Sequence, residues 1–256
     1  MLESKIMQLT YAQKQEFYQN GYVKIPGVVP QVMIDAAVRA INASLGQGLD
    51  PAQVPIYQAR SFCPELQREP VIIDLFNKTP ALPLAESLIG IGKIQPVGAS
   101  QIALRFPILQ DPPSPPRPHL DGMHTPTNGV PAGTIRNFTM LLGVALSDVT
   151  MPYAGNLTVW PGTHHLYEQY FRENGPQALL NGMPPVALPE PVQVLAKAGD
   201  IIMAHYELAH GVAQNVSPHP RFAIYFRLYH IDHDHYSQDA MTNIWREWEG
   251  MKGIVS

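Results

Sequence analysis

The stretch GDIIMAHYELAHGVAQNVSPHPRFAIYFRLYH, residues 199–230, decides the fold. It opens on a turn signal, Ala198-Gly199-Asp200, and runs into the apolar segment Ile201–His205. Asn215 to Pro220 gathers an asparagine, a serine and two prolines into one short turn. Phe222–His230 then returns as a second strand-like run. Two strand-like runs flanking a proline-bearing turn point to β structure. The 26 prolines carry that reading outward, because they cluster in 107–118, 126–131, 184–191 and 218–220. Proline is excluded from helix interiors and central strands, so these clusters are loops between strands.

Further strands are expected at Ile94–Pro107, Phe138–Leu146, Leu157–Trp160 and Val192–Val194. Turn signals at Ala154-Gly155-Asn156 and Pro161-Gly162 separate them. The first third is different. Thr10 is a capping residue before a helix-forming run that Asn20-Gly21 ends, and a short strand follows at Tyr22–Pro26. Apolar residues at Met33, Ile34, Ala37, Val38, Ile41 and Leu45 have helical spacing over Gln31–Leu45. Val71–Asn77, Ala81–Ile89 and a C-terminal segment around Asn243–Lys252 read as further helices. The class expected is α+β: one domain, 1–256, with a mostly helical part (1–93), a double-stranded β-helix or jelly-roll core of cupin type (94–232) and a C-terminal extension (233–256).

Composition removes several function classes. A hydrophobic fraction of 45% and a charged fraction of 15% are those of a globular protein, not a disordered one. A net charge of −4 gives no basic footprint for nucleic acid. Cys63 is the only cysteine, so neither an intrachain disulfide nor an all-thiolate metal site can form. The opening MLESKIMQLT has no apolar leader core, and no run approaches a spanning helix. A reducing compartment, most simply the cytoplasm, is the expected location.

The chemistry starts at RPHLDGMHTP, residues 117–126. In a strand, residues i and i+2 share a face about 6.6 Å apart along the backbone. His119 and Asp121 can therefore aim at one point while Leu120 turns away. An imidazole nitrogen and a carboxylate oxygen suit a divalent first-row metal, and two histidines with one carboxylate form the facial triad of non-haem iron oxygenases. The pair alone does not separate a ligand pair from a solvated loop pair. A second histidine is available in His210, at the start of HGVAQNVSPHPR. Arg221 follows past a hairpin-like turn, where it can begin the neighbouring strand and face the same cavity. A guanidinium beside a metal suits a small dicarboxylate, one end chelating the metal and the other taken by the arginine fork.

With these residues the sequence resembles the phytanoyl-CoA dioxygenase family of iron(II)- and 2-oxoglutarate-dependent oxygenases. LTYAQKQEFYQNGYVKIPGVV is similar to its opening helix and strand, and RPHLDGMH to its His-x-Asp block. AGNLTVWPGTHH is similar to a third block, with Gly155-Asn156 reversed and Thr163 in place of serine. His210, Asn215, Ser217 and Arg221 match the fourth. The resemblance implies that His119, Asp121 and His210 ligate iron and that Arg221 holds the distal carboxylate of 2-oxoglutarate. It also implies auxiliary co-substrate contacts, for which Gln101 and Thr139 are the candidates, with Arg105 a third, for co-substrate or for substrate. O2 and 2-oxoglutarate would be consumed, succinate and CO2 released, and an unactivated C–H bond of a small organic substrate, lipid-like or a secondary metabolite, hydroxylated. In halogenating relatives an alanine or glycine stands where this chain has Asp121, so hydroxylation rather than chlorination is implied.

Rival readings remain in the sequence. His230-Ile-Asp-His-Asp-His235 is the densest histidine cluster, read as a solvated strand end and loop. His205-Tyr-Glu207 is a second His-x-carboxylate pair, read as opposed in parity to His210. The alternative function is a non-oxygenase jelly roll: a metal- or sugar-binding module, or a cupin-type hydrolase. Arg221 separates the two, since neither alternative needs a dicarboxylate anchor. Tyr57, Arg60, Phe62, Met123 and Arg227 are candidate pocket residues for the small-molecule substrate.

Overall fold

A computed structural model describes residues 7–255; the first residues of the opening stretch read for a leader, 1–6, lie outside the described residues. Helix α1 (Tyr11–Asn20) starts at a reciprocal capping box. The Thr10 hydroxyl accepts from the Gln13 N–H, and the Gln13 carboxamide accepts from the Thr10 N–H. Strand β1 (Tyr22–Ile25) follows directly, then α2 (Gln31–Leu45), whose stripe Ile34, Ala37 and Ile41 is buried. Three short helices complete the N-terminal part: α3 (Val54–Ala59), α4 (Pro70–Asn77) and α5 (Ala81–Ile89). None of the helices among the described residues is long and apolar enough to cross a membrane.

The remaining strands are β2 (Gln101–Arg105), β3 (Met140–Ala145), β4 (Leu157–Val159), β5 (Val192–Gln193), β6 (Ile201–His205), β7 (His210–Val212) and β8 (Arg221–Leu228). They form a larger sheet in the order β1-β6-β3-β8-β2 and a smaller one in the order β5-β4-β7, with antiparallel pairing throughout. This is the cupin-type jelly roll. Helix α6 (Thr163–Asn174) lies between β4 and β5, and the single-turn α7 (His233–Tyr236) follows β8.

Strand alternation divides the core in two. On β8, Ile224, Phe226 and Leu228 join the layer formed with α2, α4 and α5; on β2, Ile102 and Leu104 do the same. Full burial of each such side chain contributes roughly 1.5–3 kcal/mol. The other parity, Arg221, Ala223, Tyr225 and Arg227 on β8 with Gln101, Ala103 and Arg105 on β2, faces the interior between the sheets. Leu141, Leu157 and Ile202 fill part of that interior. The rest is cavity.

Several expectations need correction. Strand structure does not run through Ile94–Pro107: Ile94 makes an isolated bridge to His230, and the strand starts only at Gln101. Pro96 has no N–H to offer a ladder, and Gly98 adds no packing surface. Helix α6 was not expected, although Tyr167 and Phe171 have i, i+4 spacing and are fully buried. No long C-terminal helix forms; a single turn, Glu249–Met251, stands where one was read. There the tail is held by side chains instead, with Trp248 stacked on His205 and Trp245 edge-on to Phe17. Strands β7 and β8 are not hairpin partners but belong to different sheets, so the turn 215–220 carries the chain from one wall of the interior to the other.

Candidate metal and co-substrate site

His119 and His210 are paired across an isolated antiparallel bridge, with reciprocal backbone bonds of 2.8 and 3.1 Å. Residues opposed in this way project to the same side, and the two rings lie 4.4 Å apart. The close approach depends on Gly211, where a Cβ would stand 2.3 Å from the Arg117 carbonyl oxygen. Asp121 returns to the same side two residues on, with Oδ1 3.6 Å from His119 Nε2 and 3.8 Å from His210 Nε2. The three donor atoms lie within 4.8 Å of one another, the only such group of three among the described residues.

The electrostatics suit a cation. His210 Nδ1 donates to the Leu208 carbonyl at 2.9 Å, which leaves Nε2 with its lone pair. Burial, with His119 beside it, pushes the His210 ring down to about 4, so it is a free base at neutral pH. Burial would raise the Asp121 carboxyl, but Arg227 above all, then His119 and His210, hold it well below the usual carboxylate range. Two imidazole nitrogens, that of His210 a free base, and an ionised carboxylate fit a divalent first-row metal.

The group lines a cavity of about 290 Å³ whose wall includes Gln101, Arg105, Met123, Tyr225, Arg221 and Arg227. Arg221 is 4% exposed, and its guanidinium is fixed from two sides. Nε donates to the Gly155 carbonyl at 2.8 Å and Nη1 to the Ala103 carbonyl at 3.0 Å, while the buried Nη2 has no partner among the described residues. Gly155, at φ +76°, explains its own identity: a Cβ would lie 3.0 Å from Arg105 Cβ and 3.1 Å from Arg221 Cβ. Burial, with Arg221 next to it, lowers Arg105 to about 10, which still leaves it protonated at neutral pH.

The other expected residues separate. Gln101 lines the cavity, but its Oε1 accepts from Arg227 Nη1 at 3.0 Å. Thr139 is outside the cavity wall. Its hydroxyl donates to Glu247 Oε2 and accepts from the His230 N–H, because the C-terminal segment covers that end of the sheet. Of the candidate substrate residues, Met123 and Arg227 line the cavity. Phe62 is buried against Tyr57, and Arg60 Nε donates to the Thr127 carbonyl in the loop at the mouth. Of the C-terminal histidines His235 is exposed, in line with the solvated reading, but His230 and His233 are buried, and His233 Nδ1 lies 2.9 Å from Glu247. His205 closes β6, with Nε2 donating to the Ile244 carbonyl and Nδ1 accepting the Glu207 N–H, on the side away from the triad.

Sequence reasoning did not single out Tyr225 or the carbonyls of Gly155 and Ala103. The alternation of β8 from Arg221 would have found Tyr225. Carbonyl positions carry no residue signature.

Residues 17–223 match the phytanoyl-CoA dioxygenase (PhyH) family. The chain belongs to that family: it is a 2-oxoglutarate-dependent non-haem iron enzyme, with iron as its metal and O2 as the other co-substrate. Three solved structures share the fold. The non-heme alpha ketoglutarate dependent carbocyclase SnoK from nogalamycin biosynthesis is 19% identical, with a TM-score of 0.51 and 90% of each chain covered. HygX from Streptomyces hygroscopicus, solved with nickel, 2-oxoglutarate and hygromycin B, is 17% identical, with a TM-score of 0.55, 85% of this chain and 86% of that one covered. The epimerase SnoN, solved with Fe3+, alpha ketoglutarate and nogalamycin RO, is 20% identical, with a TM-score of 0.50, covering 85% and 82%. No curated protein matches the chain.

Proposed function

We propose that His119, Asp121 and His210 hold iron(II), that Arg221 binds the distal carboxylate of 2-oxoglutarate, and that the product is a hydroxylated small organic molecule. One observation carries the reading. A buried guanidinium whose Nη2 has no partner among the described residues lines the same cavity as two imidazoles and an ionised carboxylate. An unpaired buried charge is costly unless a partner arrives, and a carboxylate is the partner that fits a fork. Arg105 adds a second positive charge at that end, since it is the register partner of Arg221.

Bound iron supplies the means to activate O2 when 2-oxoglutarate is decarboxylated. The chain's own part is to fix orientation. His119 and His210 are held by their shared backbone bridge, Asp121 by Arg227, and Arg221 by two carbonyls. Leu141, Leu157, Val212 and Ala103 keep the interior apolar around these groups. Asp121 takes the ligand position that a halide would need, which supports hydroxylation over chlorination. The polar residues Gln58, Thr125 and Asn128 and the mobile-chain thioether of Met123 suit a polar, small-molecule substrate.

The test is a panel of small organic acids and polyketide- or sugar-like compounds, read by succinate release and product mass. A product heavier by one oxygen supports the reading. A product isomeric with its substrate, or lighter by two hydrogens, moves the reaction to epimerisation or ring closure. Chlorine in a product formed in chloride buffer contradicts the assignment of Asp121.

A further inference from the structure

We infer that Arg227 is a positioning residue that makes Asp121 a one-oxygen ligand. The inference rests on the reading of His119, Asp121 and His210 as the metal site. Arg227 Nε and Nη2 both reach the same oxygen, Asp121 Oδ2, at 3.1 and 2.8 Å. The other oxygen, Oδ1, is the one that faces the Nε2 atoms of His119 and His210. Oδ2 is thus engaged on the side away from the histidines, and Oδ1 is turned toward them.

The guanidinium is itself held from two further directions. Nη1 donates to Gln101 Oε1 at 3.0 Å, and Cζ stands 5.6 Å from the centre of the Phe138 ring. Gln101 thus holds Arg227 through its Oε1. Three segments converge here: Arg227 comes from β8, Gln101 from its neighbour β2, and Phe138 from the irregular stretch before β3.

A carboxylate can grip a divalent ion with one oxygen or with both. Gripping with both takes an extra coordination position. The proposed chemistry needs two positions for the chelating end of 2-oxoglutarate and one for O2, beside three protein donors. A second Asp121 oxygen on the metal would take one of these. Arg227 prevents that by keeping Oδ2 in charge-assisted hydrogen bonds. Outer-shell partners of this kind typically change metal affinity by about 10- to 100-fold when removed.

The test uses the full chain, cobalt(II) as the probe, and no turnover. Wild type, Arg227→Gln and Arg227→Lys are stripped of metal, checked by circular dichroism, and titrated with cobalt by equilibrium dialysis while the visible d–d bands are recorded. Arg227→Gln should show weaker and shifted bands as the second carboxylate oxygen joins the metal, with a cobalt affinity changed by about 10-fold or more. Arg227→Lys keeps the charge but loses the fork, so its affinity and spectrum should fall between the two. Wild-type affinity within twofold and an unchanged spectrum in a folded Arg227→Gln overturn the inference and leave the metal site standing. If Arg227→Gln does not fold, the lysine variant decides in the same way. Failure of the wild type to bind one cobalt per chain overturns the site reading, and the inference with it.

Discussion

Arg105 and Arg221 stand directly opposite each other across β2 and β8, and neither has a carboxylate partner among the described residues. Two guanidinium groups lining one cavity repel, and an anionic occupant would offset that repulsion. Arg221→Ala should leave iron binding intact and raise the 2-oxoglutarate constant. Losing a charge-assisted pair costs roughly 1.5–3 kcal/mol, which is about 10- to 150-fold. Arg221→Lys should rescue this only in part, because lysine lacks the fork. A titration of both variants with 2-oxoglutarate checks it, and an unchanged constant in Arg221→Ala removes the residue from the co-substrate seat.

Gly155→Ala should act on the same seat from behind. The added methyl would press on both arginine stems at 3.0 and 3.1 Å, and φ +76° is strained for alanine. A left-handed conformation costs a non-glycine residue roughly 1–2 kcal/mol. The variant should therefore melt at a lower temperature and bind 2-oxoglutarate less tightly, with metal affinity close to wild type. Isothermal titration and a melting curve measure all three quantities.

Thr139→Val separates structure from binding. The change removes the hydroxyl between Glu247 and the His230 N–H, leaving two buried groups short of a partner. Each such loss costs about 1–3 kcal/mol. Stability in urea should fall by that order, while the 2-oxoglutarate constant stays the same. A large rise in that constant would return Thr139 to the co-substrate site.

Stability should also depend on pH through His205. Burial lowers its pKa in the folded protein to about 4, against a usual value near 6.5. The unfolded chain then binds the proton more readily. Stability is fully present above about pH 6.5 and falls as the pH drops from there toward 4. His205→Gln should flatten the part of this slope that His205 contributes, with buried His164 supplying a further part of the same sign. Urea unfolding at a series of pH values reads the slope directly, and an identical slope in the variant contradicts this origin.

How far the sequence reaches is visible in particular residues. Spacing and turn chemistry were enough for α1, α2, α5 and β6; His119 and Asp121 do reach one point, but through an isolated bridge and a turn rather than the strand parity expected. The four ordered blocks led to the family that residues 17–223 match. Thr139 shows the limit. Nothing in its neighbourhood announces that Glu247, more than a hundred positions later, covers it. The buried state of His230 and His233 has the same cause, a tail folded back over the sheet. Helix α6 was hidden because its polar face, with Glu168, Gln169 and Arg172, outweighs the two buried aromatics Tyr167 and Phe171. The Arg227–Asp121 pair joins residues far apart in sequence, which meet across the interior because β8 lies in one sheet and the His119 segment is bridged to β7 in the other.

The most direct measurement is an anaerobic titration of the iron-loaded protein with 2-oxoglutarate, following visible absorption and iron content together. The wild type should hold one iron per chain and develop a weak charge-transfer band that saturates with co-substrate. His210→Ala should lose both. If His210→Ala retained one iron and the same band, the assignment of iron to His119, Asp121 and His210 would be contradicted.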